Sequence, residues 1–280
     1  MKHQIGIEVT NYSIQIKKLP VSFEGFKILQ LSDLHSRVFN KNNETLVELI
    51  DSMKPNIILM TGDMMNGKKD NGIVCVNLVK RLIHKYPIYY ILGNHEQRVK
   101  SNTSNIYFNY ITELNKLGTK ILDNSKVSIL KGKDKINIYG LTIELSYYWG
   151  DNENENRKEF INNDYIEEKL GVCEKGEINV LLSHNPKYFE AYTEWGADLV
   201  FSGHVHGGII RIPYLGGLLS PDRKFFPKYD WGIYKDKECN IVVSRGIGNS
   251  NINLRINNMP EIVMVTLKKG RNYCEKLGKN

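Results

Sequence analysis

Apolar runs and amphipathic stretches alternate along the first half of the chain. Phe26–Leu31, Ile57–Met60 and Ile88–Leu92 are short and mostly apolar, as buried strands are. Between the first two, Leu46, Leu49, Ile50 and Met53 recur at i, i+3, i+4 and i+7, a helical stripe stopped by Lys54-Pro55. Val74, Leu78 and Leu82 mark a second helix. Ile106, Tyr110, Leu114 and Leu117 mark a third, closed by Gly118. The resulting βαβαβα order predicts parallel strands joined by crossover helices. The second half changes character. Strand-like runs at Lys126–Leu130 and Ile136–Ile143 precede a helix near Phe160–Leu170. Val180–Leu182, a short helix at Tyr188–Trp195 and Leu199–Phe201 follow, then Trp231–Tyr234, Asn240–Ser244 and Glu261–Leu267 without clear helices. Two mixed sheets packed face to face, with helices outside, account for both halves. At the start, Ile5/Ile7/Val9 and Tyr12/Ile14/Ile16 alternate as two short half-buried strands would. The polar run Gly150–Lys158 reads as an exposed loop. With no internal repeat and no linker rich in Pro, Gly or Ser, residues 1–280 are expected to form a single domain.

The chemistry lies at the strand ends. Five of the seven histidines fall in short motifs that directly follow apolar runs: Asp33-Leu34-His35, Gly62-Asp63, Gly93-Asn94-His95-Glu96, His184, and Gly203-His204-Val205-His206. Each piece alone is commonplace, since a Gly-Asp is a frequent turn and a solitary histidine usually packs in a core. Five clusters at five strand ends describe an assembled site, where α/β sheets place their ligands. Carboxylate, amide oxygen and imidazole without thiolate suit Mn, Fe or Zn. Asp63, flanked by a glycine that lets backbone approach closely, is the candidate for a carboxylate shared by two metals. His3 and His84 stand outside these motifs and are expected to be structural.

This order and spacing resemble the calcineurin-like metallophosphoesterases over most of the chain. The stretch His204–Tyr234, with Ser244-Arg245-Gly246-Ile247-Gly248 after it, is similar to a bacterial phosphohydrolase branch related to UDP-2,3-diacylglucosamine hydrolases. The resemblance implies an α/β four-layer α-β-β-α sandwich and two divalent metal ions (Mn, Fe or Zn). It assigns Asp33, His35 and His206 to one metal and Asn94, His184 and His204 to the other, with Asp63 bridging. The implied reaction is phosphoester hydrolysis of the phosphodiesterase or pyrophosphatase type, with a metal-bridging hydroxide as nucleophile. Cations ~3.5–4 Å apart clamp the attacking and leaving oxygens of such a displacement. Asn94, His95 and Arg245 would supply donors to the developing charge, with Arg245 on the substrate. His95 would stand at the leaving group as an imidazolium, oriented by Glu96. Arg245 and Arg255 are each equally readable as a phosphate contact or a surface ion pair. Two other readings stay open: a catalytically silent scaffold of the same fold, and a nuclease or cyclic-nucleotide phosphodiesterase. Scaffolds of this kind typically lack ligands or the extra histidine, and His95 is present.

Composition adds bounds. The apolar fraction is 41% and the charged fraction 25%, ordinary for a globular protein. A net charge of +7 reads first as a lysine-rich surface and second as attraction to anionic substrates or membrane surfaces; the basic residues are scattered, so nucleic-acid binding is not expected. Cys75, Cys173, Cys239 and Cys274 form no CxxC pair and read as free thiols of a reducing compartment. No run approaches the ~20 apolar residues of a membrane span, which predicts a cytoplasmic protein or one peripheral to the membrane. Ile209–Trp231 combines nine large apolar residues with Arg211, Arg223, Lys224 and Lys228 right after His206. It either lines a lipid-like substrate pocket or packs on the core, and Tyr147-Tyr148-Trp149 carries the same ambiguity.

Overall fold

The computed structural model describes residues 6–67, 70–148, 160–208, 210–212, 216–219, 225–249 and 255–270. The expected loop at Gly150–Lys158, Trp149, His3 and Cys274 lie outside these, as do Ile209, Tyr214, Leu215, Arg223 and Lys224 of the apolar segment.

In chain order the strands are β1 (Glu8–Ile16), β2 (Lys27–Leu31), β3 (Ile57–Met60), β4 (Ile88–Tyr90), β5 (Lys120–Ile121), β6 (Ser125–Lys131) and β7 (Asp134–Leu141). They continue with β8 (Ile178–Ser183), β9 (Leu199–Ser202), β10 (Arg211–Ile212), β11 (Gly216–Gly217), β12 (Gly232–Asp236), β13 (Cys239–Val243) and β14 (Glu261–Lys269). The helices are α1 (Glu44–Met53), α2 (Ile73–Leu82), α3 (Asn94–Asn102), α4 (Ser104–Leu117), α5 (Asn163–Leu170) and α6 (Phe189–Trp195).

One sheet runs β1-β14-β2-β3-β4-β5 and the other β12-β13-β9-β8-β7-β6. In the first, β2 to β5 are parallel and β14 lies antiparallel to β2. In the second, β7, β8, β9 and β13 are parallel, with antiparallel edges β6 and β12. β3 is buried at every position, as a central parallel strand covered on both faces must be. The two helix stops expected from sequence hold: Lys54 and Gly118 turn left-handed, at φ 50° and 96°.

Three apolar layers separate the elements. Ile28, Leu59 and Val263 meet Ile138, Val180 and Phe201 between the sheets. Leu31, Met60 and Tyr90 meet α1, α2 and α4 on one outer face. Tyr139, Leu181 and Val200 meet α5 and α6 on the other. This is the four-layer α-β-β-α sandwich of two mixed sheets. Two expectations are corrected. The start of the chain forms one continuous edge strand, β1, rather than two, because it pairs in register with β14 from Glu8 to Ile16. Helix α3, which lacks an apolar stripe, was not foreseen. Cys75, Cys173 and Cys239 are free thiols, and no helix among the described residues is long and apolar enough to cross a membrane.

Candidate metal centre

Five strands of the two sheets end at one place. β2 delivers Asp33 and His35, β3 delivers Asp63 and β4 leads to Asn94; β8 delivers His184 and β9 the turn with His204 and His206. All seven side chains are buried. Five of them take left-handed backbone: Asp33 at φ 52°, His35 at 45°, Asp63 at 52°, His204 at 69° and His206 at 54°. Left-handed residues cost about 1–3 kcal/mol each, and such strain gathers where a site dictates side-chain direction. Two glycines make the approach possible. A Cβ on Gly93 would stand 2.2 Å from Asp63 Oδ1, and one on Gly203 would stand 2.0 Å from Ser32 Oγ.

The ligating atoms fall into overlapping groups, each within 4.8 Å: Asp33, His35 and His206; Asp63, His184 and His204; and His35, Asp63 and His95. In the first, His35 Nε2 and His206 Nε2 face one another at 3.0 Å, with Asp33 Oδ1 3.3 Å from the latter. Asp63 Oδ2 lies between the groups, 3.2 Å from His184 Nε2 and 3.9 Å from both His35 Nε2 and His95 Nε2. Its other oxygen accepts the His95 backbone N–H at 2.8 Å.

The donor set fits divalent metals. Asn94 Oδ1 is buried with no hydrogen-bond donor to satisfy it, as a buried amide oxygen rarely is. His184 Nδ1 donates to the Thr61 carbonyl at 2.7 Å, which fixes the ring and leaves Nε2 for the centre. Ser32 Oγ and the His204 N–H donate to Asp33 and aim its carboxylate. Electrostatics respond to this crowding. Burial raises the Asp63 pKa, yet His184, His95 and His35 together hold it well below the carboxylate range. Burial also opposes a charged His184, but Asp63 and Asp33 carry it up to about 10. Asp33 is pushed up, chiefly by burial. Burial brings His35 down to about 3 and His206 well below its ordinary value.

Some neighbours depart from the sequence-based expectation. His95 sits edge-on to His35 with centroids 4.6 Å apart, and burial lowers its pKa against the pull of Asp63, which disfavours the expected imidazolium. Glu96 does not orient His95. Its oxygens accept the N–H groups of Asp63, Gly93 and Met65 at 2.8–2.9 Å, locking the β3 and β4 turns together. Of the two readings of Arg245, substrate contact and ion pair, the fold shows the ion pair: it holds Glu261 and Glu8, each at 2.8 Å, and stacks on Trp231. Its charge is neutralised inside the fold, between β13 and β14. Arg255 lies nearer the candidate ligands, with Nη2 3.2 Å from His206 Nδ1. Asn258, which the sequence reading missed, donates to the carbonyls of His206 and Gly208 and secures the His206 turn. Phe225 and Phe226 are 70% and 56% exposed, so neither packs on the core. Tyr147 and Tyr148 are buried, and Tyr148 meets the His204 ring edge-on at 5.1 Å. His84 is exposed and remote from the motifs.

Comparison with known proteins agrees with the fold and the strand-end motifs. The family model described as calcineurin-like phosphoesterase matches residues 26–208, and the chain belongs to that family, whose members are metal-dependent phosphoester hydrolases. It is 26% identical over 276 residues to the uncharacterized metallophosphoesterase YkuE of Bacillus subtilis, covering 94% of this chain and 86% of that one. It is 27% identical over 252 residues to the phosphodiesterase YaeI of Escherichia coli, covering 86% and 82%. Among solved structures, phosphopantetheinyl hydrolase from Mycobacterium tuberculosis matches in fold, with TM-score 0.50, 11% identity and coverage of 82% and 92%.

Proposed function

We propose that the chain is a dinuclear metal phosphodiesterase. Asp33, His35 and His206 would hold one metal, Asn94, His184 and His204 the other, and Asp63 both. The observation that carries this reading is the position of Asp63 Oδ2, within 4 Å of histidines from both groups while Oδ1 is already engaged. Two divalent cations, when bound, supply Lewis acidity to the phosphoryl oxygens and an activated water. The protein's part is positional. Glu96 fixes the turns that present Asp63 and Asn94, and α3 directs its N-terminus, favourable to anions, at the centre. His95, buried at the first turn of α3, would present a ring N–H to the oxygen of the leaving group. A diester is favoured because the relative YaeI is named a phosphodiesterase, and an apolar alcohol because Phe225 and Phe226 are exposed.

Activity on an aryl phosphodiester tests the reading. Chelated protein should be inactive, and Mn should restore hydrolysis. His95→Ala should retain the metals yet lose about 10²–10³-fold in rate, as removal of one preorganised donor does. Metal-loaded protein that cleaves no phosphoester would leave a binding scaffold as the better reading.

A further inference from the structure

Among the described residues, no carboxylate pairs with Arg255 at the edge of the candidate metal centre. Its Nη2 donates to the carbonyls of Arg245 at 2.9 Å, Gly246 at 3.3 Å and Gly248, while Nε and Nη1 are buried and meet no acceptor. Arg245 holds two carboxylates, whereas among the described residues the hydrogen-bond partners of Arg255 are carbonyls and an imidazole. Guanidinium N–H groups buried without an acceptor are unfavourable. Divalent cations nearby make the position of Arg255 worse still, unless an anion arrives with them.

The contact with His206 sharpens the point. A guanidinium only donates, so the 3.2 Å contact requires a lone pair on His206 Nδ1. A neutral ring that uses Nε2 as a ligand carries its proton on Nδ1, and two N–H donors then face each other. A loaded centre would therefore release Nη2 from His206 to its carbonyl acceptors, while the buried Nε and Nη1 N–H groups beside the site still lack one.

We propose that Arg255 takes a non-bridging oxygen of the substrate phosphoryl group, turning from His206 to the anion. This rests on the metal-centre reading above. Arg37 serves as the control cation: its Nη1 already donates to the Ile247 carbonyl and to Asn249 Oδ1, and its charge acts on Arg255 without sharing those contacts.

The test is calorimetric binding of inorganic phosphate to the Mn-loaded full chain, with metal content measured first. Arg255→Gln should keep wild-type metal content and melting temperature while binding phosphate about 10–100-fold more weakly, the weight of a charge-assisted hydrogen bond. Arg255→Lys, which keeps charge without the planar fork, should fall between the two. Arg37→Gln should change phosphate binding less than about threefold, since screened charges at a distance contribute little. Should the Gln variant melt well below wild type, the Lys variant decides, with weakened phosphate binding at full metal content expected. Phosphate binding unchanged in both Arg255 variants overturns the assignment, as does an equal loss in Arg37→Gln or a loaded wild type that binds no phosphate. Metal loss in both Arg255 variants also overturns it, because the residue then acts by holding His206. Failure of the metal-centre reading looks different: the wild type itself takes up no metal.

Discussion

At the scale of single residues, the centre is organised by what each side chain has left to offer. Asp63 has one oxygen held by the His95 N–H and one aimed between the histidine groups. An asparagine there cannot do both. Its single oxygen either accepts the His95 N–H, turning an amide nitrogen toward the metals, or faces the metals and sets two donors against each other. Asp63→Asn should therefore lose at least one of two metals per chain, read by elemental analysis. Full stoichiometry in that variant rules out the shared ligand. The same view separates Arg245 from Arg255. In sequence both are arginines near a motif, and only the partners chosen in the fold, Glu261 and Glu8 against bare carbonyls, tell them apart.

At the scale of elements, legibility followed periodicity. Helices α1, α2 and α4 carry apolar residues at helical spacing and appear where that spacing places them. Helix α3 reads NHEQRVKSN, with Val99 as its one large apolar residue, so no stripe announces it. It forms because Glu96, three residues past the cap, accepts the Gly93 N–H, and because its first residues are buried against the centre. The seven candidate ligands were legible because each follows an apolar run. On sequence, Glu96 has another part, Arg255 is left between two and Asn258 has none, since each bonds backbone groups that only the folded turns bring within reach. Sequence alone leaves the β10–β11 ribbon between pocket and core. Gly208 packs so tightly on Gly217 that a Cβ there would lie 2.8 Å from Gly217 Cα, which sets the ribbon beside the His206 turn. Phe225 bridges to Leu219 at its end, exposed. Phe225→Ala and Phe226→Ala should accordingly leave the melting temperature almost unchanged. Turnover of a long-chain alkyl phosphodiester should fall by the equivalent of about 1–2 kcal/mol relative to a small aryl diester, the value of one partial apolar contact. Equal turnover ratios in wild type and variants would remove the apolar-substrate preference.

At the scale of the whole molecule, the centre exists only when the two sheets are packed, since the first supplies Asp33, His35, Asp63 and Asn94 and the second His184, His204 and His206. Metal should bind the folded chain and stabilise it, by about 2.7 kcal/mol at a hundredfold excess over Kd, or roughly 5–10 °C in melting temperature. Protons set the pH dependence. His35, brought down to about 3, and His206, well below its ordinary value, are already neutral and ready to ligate, whereas His184, carried up to about 10, holds a proton that a metal must displace. The two kinds of histidine act on the metal-free protein in opposite directions. Stabilisation through His184 is complete below the ordinary 6.5 and is lost as pH rises through about 10. Buried neutral His35 and His206 disfavour the folded state as pH falls below 6.5, where the unfolded chain takes up protons that the folded one refuses. Metal binding removes the His184 stabilisation but gains affinity as its proton becomes easier to displace. The rise in melting temperature on adding Mn should therefore grow from pH 6.5 to pH 8.5. Calorimetry in buffers of different ionisation enthalpy should show at least one proton released per chain at pH 7. A Mn-induced rise that is flat across this range, with no proton released, would mean that His184 is not the group that gives way to the metal.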